Sequence, residues 1–290
     1  MNHVAQSRRD VLRGLAWISP WAIGFLVFLA APILLSLWYS LTDYTLIERP
    51  VWLGLANYRE LFADSTFITA VRNTLLFSTL YAAASTVLSL ALALLLEQRL
   101  RGSALVRAIV FLPTTVPIVS ACVTWMWLFN PDFGLINSAL HVTGIDGPNW
   151  LGDRDWALPS LALMSLWVVG GPLLVCSAAL RDVPGTLYEA ASLDGVSTIG
   201  RFHHITLPMI SPALFFNTVM AVIWSVQLFA PPLIMTPRGM EDATTTCSLF
   251  IYTNAFFYGR MGYACAAAWL QIAATIALVC TVLALCLLYT

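Results

Sequence analysis

Lysine is missing from this 290-residue chain, and all 14 basic side chains are arginine. A Walker A loop needs a lysine to reach nucleotide phosphates, and Schiff-base or lysine general-base chemistry needs the amine. The chain therefore carries none of these. Charge of either sign is scarce: 10% of residues, net −1, against about one quarter in an average soluble domain. So weak a field steers no nucleic acid. Cys122, Cys176, Cys247, Cys265, Cys280 and Cys286 form no Cys-x-x-Cys pair. They read as small apolar packing groups, and no metal site is expected.

Apolar residues are abundant instead. They make up 59% of the chain, and the mean hydropathy is +0.81. Too little polar surface remains to cover that volume in water, so the chain reads as an all-α integral membrane protein whose solvent is the lipid bilayer. Six charge-free gaps reach 24 residues or more. They place membrane spans near 17–39, 74–96, 109–129, 157–180, 212–235 and 263–288 in one domain, 1–290. The shorter gap 243–259 holds several Thr, an Asn and a Gly and reads as an external loop segment. Arg8, Arg9, Arg13, Arg99, Arg101, Arg107, Arg181 and Arg201 fall on one side. The positive-inside rule then puts both termini in the cytoplasm. Ser7-Arg8-Arg9 is read as the basic flank of the first span rather than an export signal, because the apolar run that follows exceeds a signal core.

None of the six spans contains Asp, Glu, Arg, Lys or His. Ion-coupled carriers usually bury such groups, so an ion-coupled secondary carrier is the lesser alternative, and the energy for any uphill movement is expected from outside the bilayer. Three spans contain helix breakers: Pro113 and Pro117, Gly170-Gly171-Pro172, and Pro231-Pro232. Such sites free backbone polar groups that protein or a water-filled cavity must cover, which suggests a path between the third, fourth and fifth spans.

The loop 181–211, between the fourth and fifth spans, has its own logic. Pro184 suits a helix start, and a short helix over 184–194 would put Leu187, Ala190, Ala191 and Asp194 near one face. Gly195 can end it in a left-handed conformation. A second helix is expected over about 197–205, limited by Pro208. Small Ala190 and Ala191 beside Glu189 and Asp194 describe a knob made for docking into a partner.

Glu189-Ala190-Ala191, Gly195, Ile205 and Leu207-Pro208 match the fixed positions of the "EAA" motif. The chain resembles the permease subunits of binding-protein-dependent ABC importers. Asn73-Thr74-Leu75, Phe111-Leu112-Pro113, Trp127-Leu128-Phe129-Asn130-Pro131 and Gly134-Leu135-Ile136-Asn137 extend the likeness to the carbohydrate-uptake branch of maltose and glycerol-3-phosphate type. One departure is Thr236-Pro237-Arg238-Gly239-Met240, where many relatives carry Gly-Gly-Pro.

The resemblance implies six transmembrane helices, N-in and C-in, with a cytoplasmic coupling helix between the fourth and fifth. It implies a non-catalytic permease of a bacterial plasma membrane, with no cofactor of its own and ATP and Mg²⁺ bound elsewhere. The implied partners are a second homologous permease, two ATP-binding subunits and an external solute-binding protein that delivers a carbohydrate. A glycerol-3-phosphate or glycerophosphodiester solute is the alternative. The ATPase-coupling residues would be Glu189, Ala190, Ala191, Asp194, Gly195, Ile205, Leu207 and Pro208. The substrate path would draw on Trp167, Gly171, Trp224, Ser225 and Gln227, with Asn217 and Gln271 as weaker candidates. His203 and His204 are expected to be solvated or to face the ATPase.

Overall fold

The computed structural model describes residues 2–97, 102–236 and 242–287. Arg99, Arg101 and the Pro237-Arg238-Gly239-Met240 turn lie outside the described residues, as do the side chains of Arg8, Arg9 and Cys286. The chain forms two compact units, one of residues 1–63 with 251–269 and the other of 64–250 with 270–290.

In the first unit, α1 (Asn2–Phe25) passes through a π-turn (Leu26–Ala30) into α2 (Ala31–Ser40). Pro32 sits in the first turn of α2, and its missing N–H accounts for the wider turn before it. Trp17 and Phe28 are 87% and 81% exposed, as expected of an apolar helix wetted by lipid. After α2, β1 (Thr42–Asp43) pairs antiparallel with β2 (Val51–Trp52), followed by α3 (Ala56–Ala63). The buried Asn57 amide donates to the Ser40 and Thr42 carbonyls and so holds this turn.

The second unit is built on α4 (Ser65–Glu97). One stripe of α4 is buried and mostly small: Ala70, Thr74, Ser78, Ala82, Ser85, Ser89 and Ala93. Small residues let helices approach closely where no hydrophobic drive operates. Around α4 come α5 (Ser103–Phe111), a 3₁₀ turn (Leu112–Thr115), α6 (Ile118–Leu128), α7 (Leu135–Val142), α8 (Arg154–Leu166) and α9 (Gly170–Asp182). Next are α10 (Gly185–Leu193), α11 (Thr198–Arg201), a π-turn (Phe202–Thr206), α12 (Leu207–Val226), α13 (Ala230–Met235) and α14 (Cys247–Tyr252). α15 spans Met261–Leu287. Polar contacts knit the unit together: Ser225 donates to Ser78 at 2.9 Å, Thr86 and Thr218 bond at 3.1 Å, and Asn217 donates to the Pro172 carbonyl at 3.0 Å.

Among the described residues four helices are long and apolar enough to cross a bilayer: Arg13–Ser40, Ser65–Glu97, Thr198–Met235 and Met261–Ala284. The stretches expected as single spans at 109–129 and 157–180 are bent pairs, by 107° and 51°, and the count reaches six when each pair is taken as one span. The larger bend has a local cause. Val116 precedes Pro117, which disfavours helical backbone, and Val116 is extended at φ −79°, ψ 128°. The stretch 243–259 is not a loop. It contains α14 and a π-turn (Thr253–Phe257), and Thr244, Thr245 and Thr246 are buried. Its polar residues serve interior hydrogen bonds, which composition alone reads as exposure.

Candidate functional site

The Glu-Ala-Ala loop begins where α9 ends. Val183 is extended and buried, and Pro184 caps α10. Asp194 closes the helix, and Gly195 follows at φ +73°. The Val196 N–H then donates to the Ala191 carbonyl and the Gly195 N–H to the Ser192 carbonyl. These two bonds make a Schellman closure and satisfy carbonyls that a helix end otherwise leaves open. Ser197 caps α11 by accepting from the Gly200 N–H. The chain does not stop before Pro208 as expected. The π-turn Phe202–Thr206 joins α11 to α12, with the Leu207 N–H donating to the Phe202 carbonyl. A π-turn shifts the bonding register by one residue, and Pro208, which has no N–H to donate, follows directly in the first turn of α12.

This closure sorts the motif residues. Ala191 is buried at 8% exposure, while Glu189, Ala190, Asp194 and Gly195 are exposed. The expected face therefore loses Ala191, which packs inward, and gains Leu193 at 89% exposure. Ile199, in α11, is 73% exposed. Among the described residues neither Glu189 nor Asp194 forms an ion pair. Tyr188 ties α10 to the π-turn through Thr206 at 2.9 Å. Ile205 and Leu207 are half-buried and Pro208 is exposed. His203 and His204 are exposed, and His204 Nδ1 lies 2.9 Å from the Gly200 carbonyl. No metal-holding cluster occurs among the described residues.

The path candidates fall at two helix breaks. Trp167 caps α8 at the 51° bend and meets Trp125 edge-on at 6.0 Å. From Trp125 a ladder of rings runs through Phe129 and Trp150 to Trp156. Gly171 faces open space, with no atom within 4 Å of where a Cβ would stand. Its neighbour Gly170 differs: a Cβ there would stand 2.8 Å from Phe111 Cα and from the Val110 carbonyl oxygen, so only glycine lets α9 close on α5.

The second break follows α12. Trp224, 71% exposed, and exposed Gln227 share a face, whereas Ser225 is 2% exposed and turns to Ser78 on α4. Carbonyls freed at this break are taken by protein. The Val226 oxygen accepts from Gln271 Nε2 at 2.9 Å and from Ser248 Oγ at 3.4 Å, and the Leu228 oxygen accepts from Thr246 Oγ1 at 2.7 Å. The capping segment is itself pinned to α4. Asn73 Nδ2 donates to the Asp242 and Thr245 carbonyls, and the Cys247 N–H donates to Thr74 Oγ1.

Residues 85–290 match the family model of the binding-protein-dependent transport system inner membrane component. The chain belongs to that permease family. The permease is 36% identical over 270 residues to a probable ABC transporter permease protein, YesP, of Bacillus subtilis, covering 91% of this chain and 87% of the relative. It is 34% identical to the trehalose/maltose transport system permease protein MalF of Thermococcus litoralis, covering 87% and 86%. It is 33% identical to the sn-glycerol-3-phosphate transport system permease protein UgpA of Pectobacterium atrosepticum, covering 86% and 87%. A crystal structure of a bacterial ABC transporter involved in the import of the acidic polysaccharide alginate shares the fold, with a TM-score of 0.82 at 23% identity, covering 99% of this chain and 98% of the other.

The structure adds permease residues that residue patterns do not single out. Glu97, the last residue of α4, binds two arginines at once. Arg107 Nη2 of α5 donates to Oε1 at 2.7 Å, and Arg181 Nε of α9, just past the apolar stretch 157–180, donates to both oxygens at 3.1 Å. In the sequence, Arg107 and Arg181 read only as orientation markers. Their one signal there is that all three charges stand at span ends.

Proposed function

We propose that this chain is the membrane-spanning, non-catalytic permease subunit of an ATP-driven importer in a bacterial plasma membrane, and that it passes a neutral carbohydrate handed over by an external solute-binding protein. It pairs with a second permease of the same family. Two cytoplasmic ATP-binding subunits hold ATP and Mg²⁺ and dock on the Glu-Ala-Ala loops. Both termini lie in the cytoplasm. The single observation that carries the reading is α10: a Schellman-closed helix that offers Glu189, Ala190, Leu193 and Asp194 to solvent with no ion-pair partner in its own chain among the described residues. An exposed leucine flanked by unpaired carboxylates is a docking face, since either group alone would be better placed in the core or in a salt bridge.

Closure of the ATPase pair would move this knob, and packed helices would follow as rigid bodies. The breaks at Trp167–Val169 and Gln227–Phe229 interrupt the helices on either side of the loop. Trp167, Gly171, Trp224 and Gln227 supply ring faces, an open backbone and an amide, which suit sugar rings and hydroxyls. The neutral solute follows from the charge-free spans. The related sn-glycerol-3-phosphate permease supports a second reading with an anionic solute, whose arginine would come from the partner permease.

Glu189→Arg tests the loop. In the reconstituted complex it should lower solute-stimulated ATP hydrolysis and uptake more than tenfold, with normal membrane insertion, because it reverses the charge offered to the ATPase. Wild-type uptake by this variant would overturn the reading.

A further inference from the structure

We infer that Glu97 is a positioning residue that links the Glu-Ala-Ala loop to α5 and to the bend beyond it. The inference rests on the coupling role proposed for the loop. A carboxylate at a helix C-terminus opposes the helix dipole, so Glu97 is poorly placed for the stability of α4 alone. Two guanidiniums from two other helices offset that cost. Arg107 also donates to the Leu96 carbonyl at 3.0 Å, which fixes it to the end of α4. Arg181 stands next to the last residue of α9, three positions before the Pro184 cap of α10. One side chain therefore joins the ends of α4 and α9 to the middle of α5 at the point where the loop departs.

Two further features make this joint informative. An open pocket of about 550 Å³ lies beside it, lined by Leu94, Glu97, Leu180, Tyr188, Ile199 and Phe202. A displacement of α10 can reach α4 and α5 directly through the end of α9, beside the longer route through Tyr188, the π-turn and α12. At its other end α9 meets α5 directly, where Gly170 lies against Val110 and Phe111. Helix α5 then feeds the 3₁₀ turn and the 107° bend. α9 is thus tied to α5 near both of its own ends, through Glu97 and Arg107 at one and through Gly170 at the other. With the Glu97 clamp open, α9 can follow the loop while α5 stays behind.

The node is partly exposed, with side-chain exposures of 24% for Glu97, 25% for Arg107 and 55% for Arg181. Its loss should leave assembly intact. The test is the ratio of ATP hydrolysed to solute imported by the complete reconstituted transporter. Glu97→Gln keeps the shape and removes both ion pairs, and should raise the ratio by about threefold or more. Arg181→Gln leaves the Arg107 pair but frees the end of α9, and should raise it to a similar extent. Glu97→Asp retains the charge and should bring the ratio back toward wild type. An unchanged ratio in Glu97→Gln, or a loss of uptake that only tracks lower complex abundance, overturns the inference, since a structural brace alone behaves that way. Glu189→Arg in the same preparations separates the two claims. If it is inactive while Glu97→Gln is normal, only the role of Glu97 fails; if it is fully active, the coupling reading of the loop fails with it.

Discussion

The Glu-Ala-Ala loop and the break after α12 face the same difficulty, helix ends with unpaired backbone groups, and meet it with different materials. In the loop the partners are neighbours. Gly195 and Val196 return to Ser192 and Ala191, and Ser197 accepts from Gly200. At the break they come from far along the chain: Gln271 and Ser248 cap Val226, and Thr246 caps Leu228. A locally closed element keeps its shape when it moves as a piece, as a knob driven by a partner must. A break capped from distant segments holds only while those segments stay together, so its geometry can change with the packing. On the proposed function the loop would act as a lever and the break as a gate.

The sharpest way to break this comparison is at Gly195. Its φ of +73° is closed to proline, whose ring fixes φ near −65°. No atom lies within 4 Å of where a Cβ would stand, so the cost of substitution there is backbone strain rather than a clash. Gly195→Pro should abolish uptake, a loss of more than tenfold, while Gly195→Asn, which tolerates the left-handed region at about 1 kcal/mol, should retain most of it. Uptake assays on the two variants at equal membrane abundance decide the matter. If both are equally active, the loop does not need its local closure.

Gln271→Leu should have the next largest effect. It removes the donor to the Val226 oxygen and to Ser248 and leaves that oxygen only the longer Ser248 bond, at a cost of about 1 kcal/mol for the lost hydrogen bond. The thermal midpoint of the purified complex should fall. Combined with Ser248→Ala the loss should be non-additive, because both side chains serve one carbonyl. Strict additivity would mean that the break is not capped as a unit.

The same contrast explains what the residues announce in advance. Pro184, Gly195 and Ser197 act on their own neighbourhood, so the helix–turn–helix of the loop is legible from residue type and spacing. Ala191 is the exception: which side of so small a residue faces inward depends on Tyr188 reaching Thr206. Pro208 is read as a stop because the π-turn that accommodates it leaves no compositional trace. At the break, Pro231 and Pro232 give the position but not the partners, since Gln271 is 45 residues from Val226 and Thr246 is 18 from Leu228. Glu97 and Arg181 are 84 residues apart, and a pairing at that distance has no local signature. The threonines of 244–246 mislead outright: they look like solvent-facing residues and are buried donors and acceptors.

The smallest expected effect separates two adjacent residues that residue type alone groups together on the path. Trp224 is 71% exposed and Ser225 is 2% exposed, with its hydroxyl on Ser78 and on the Val222 carbonyl. Interhelical hydrogen bonds in membranes contribute about 0.6 kcal/mol on average. Ser225→Ala should therefore lower stability by about that amount and leave the KM for solute unchanged. Trp224→Ala gives up little buried surface within this chain, so its stability effect should be smaller still, but on the proposed path it removes a ring face and the KM should rise. Transport kinetics and thermal midpoints on the same two preparations give opposite orderings if Trp224 faces the solute and Ser225 only braces α12 against α4. A raised KM in Ser225→Ala with a normal one in Trp224→Ala would reverse that assignment, placing the serine on the path and the indole against lipid or the second permease.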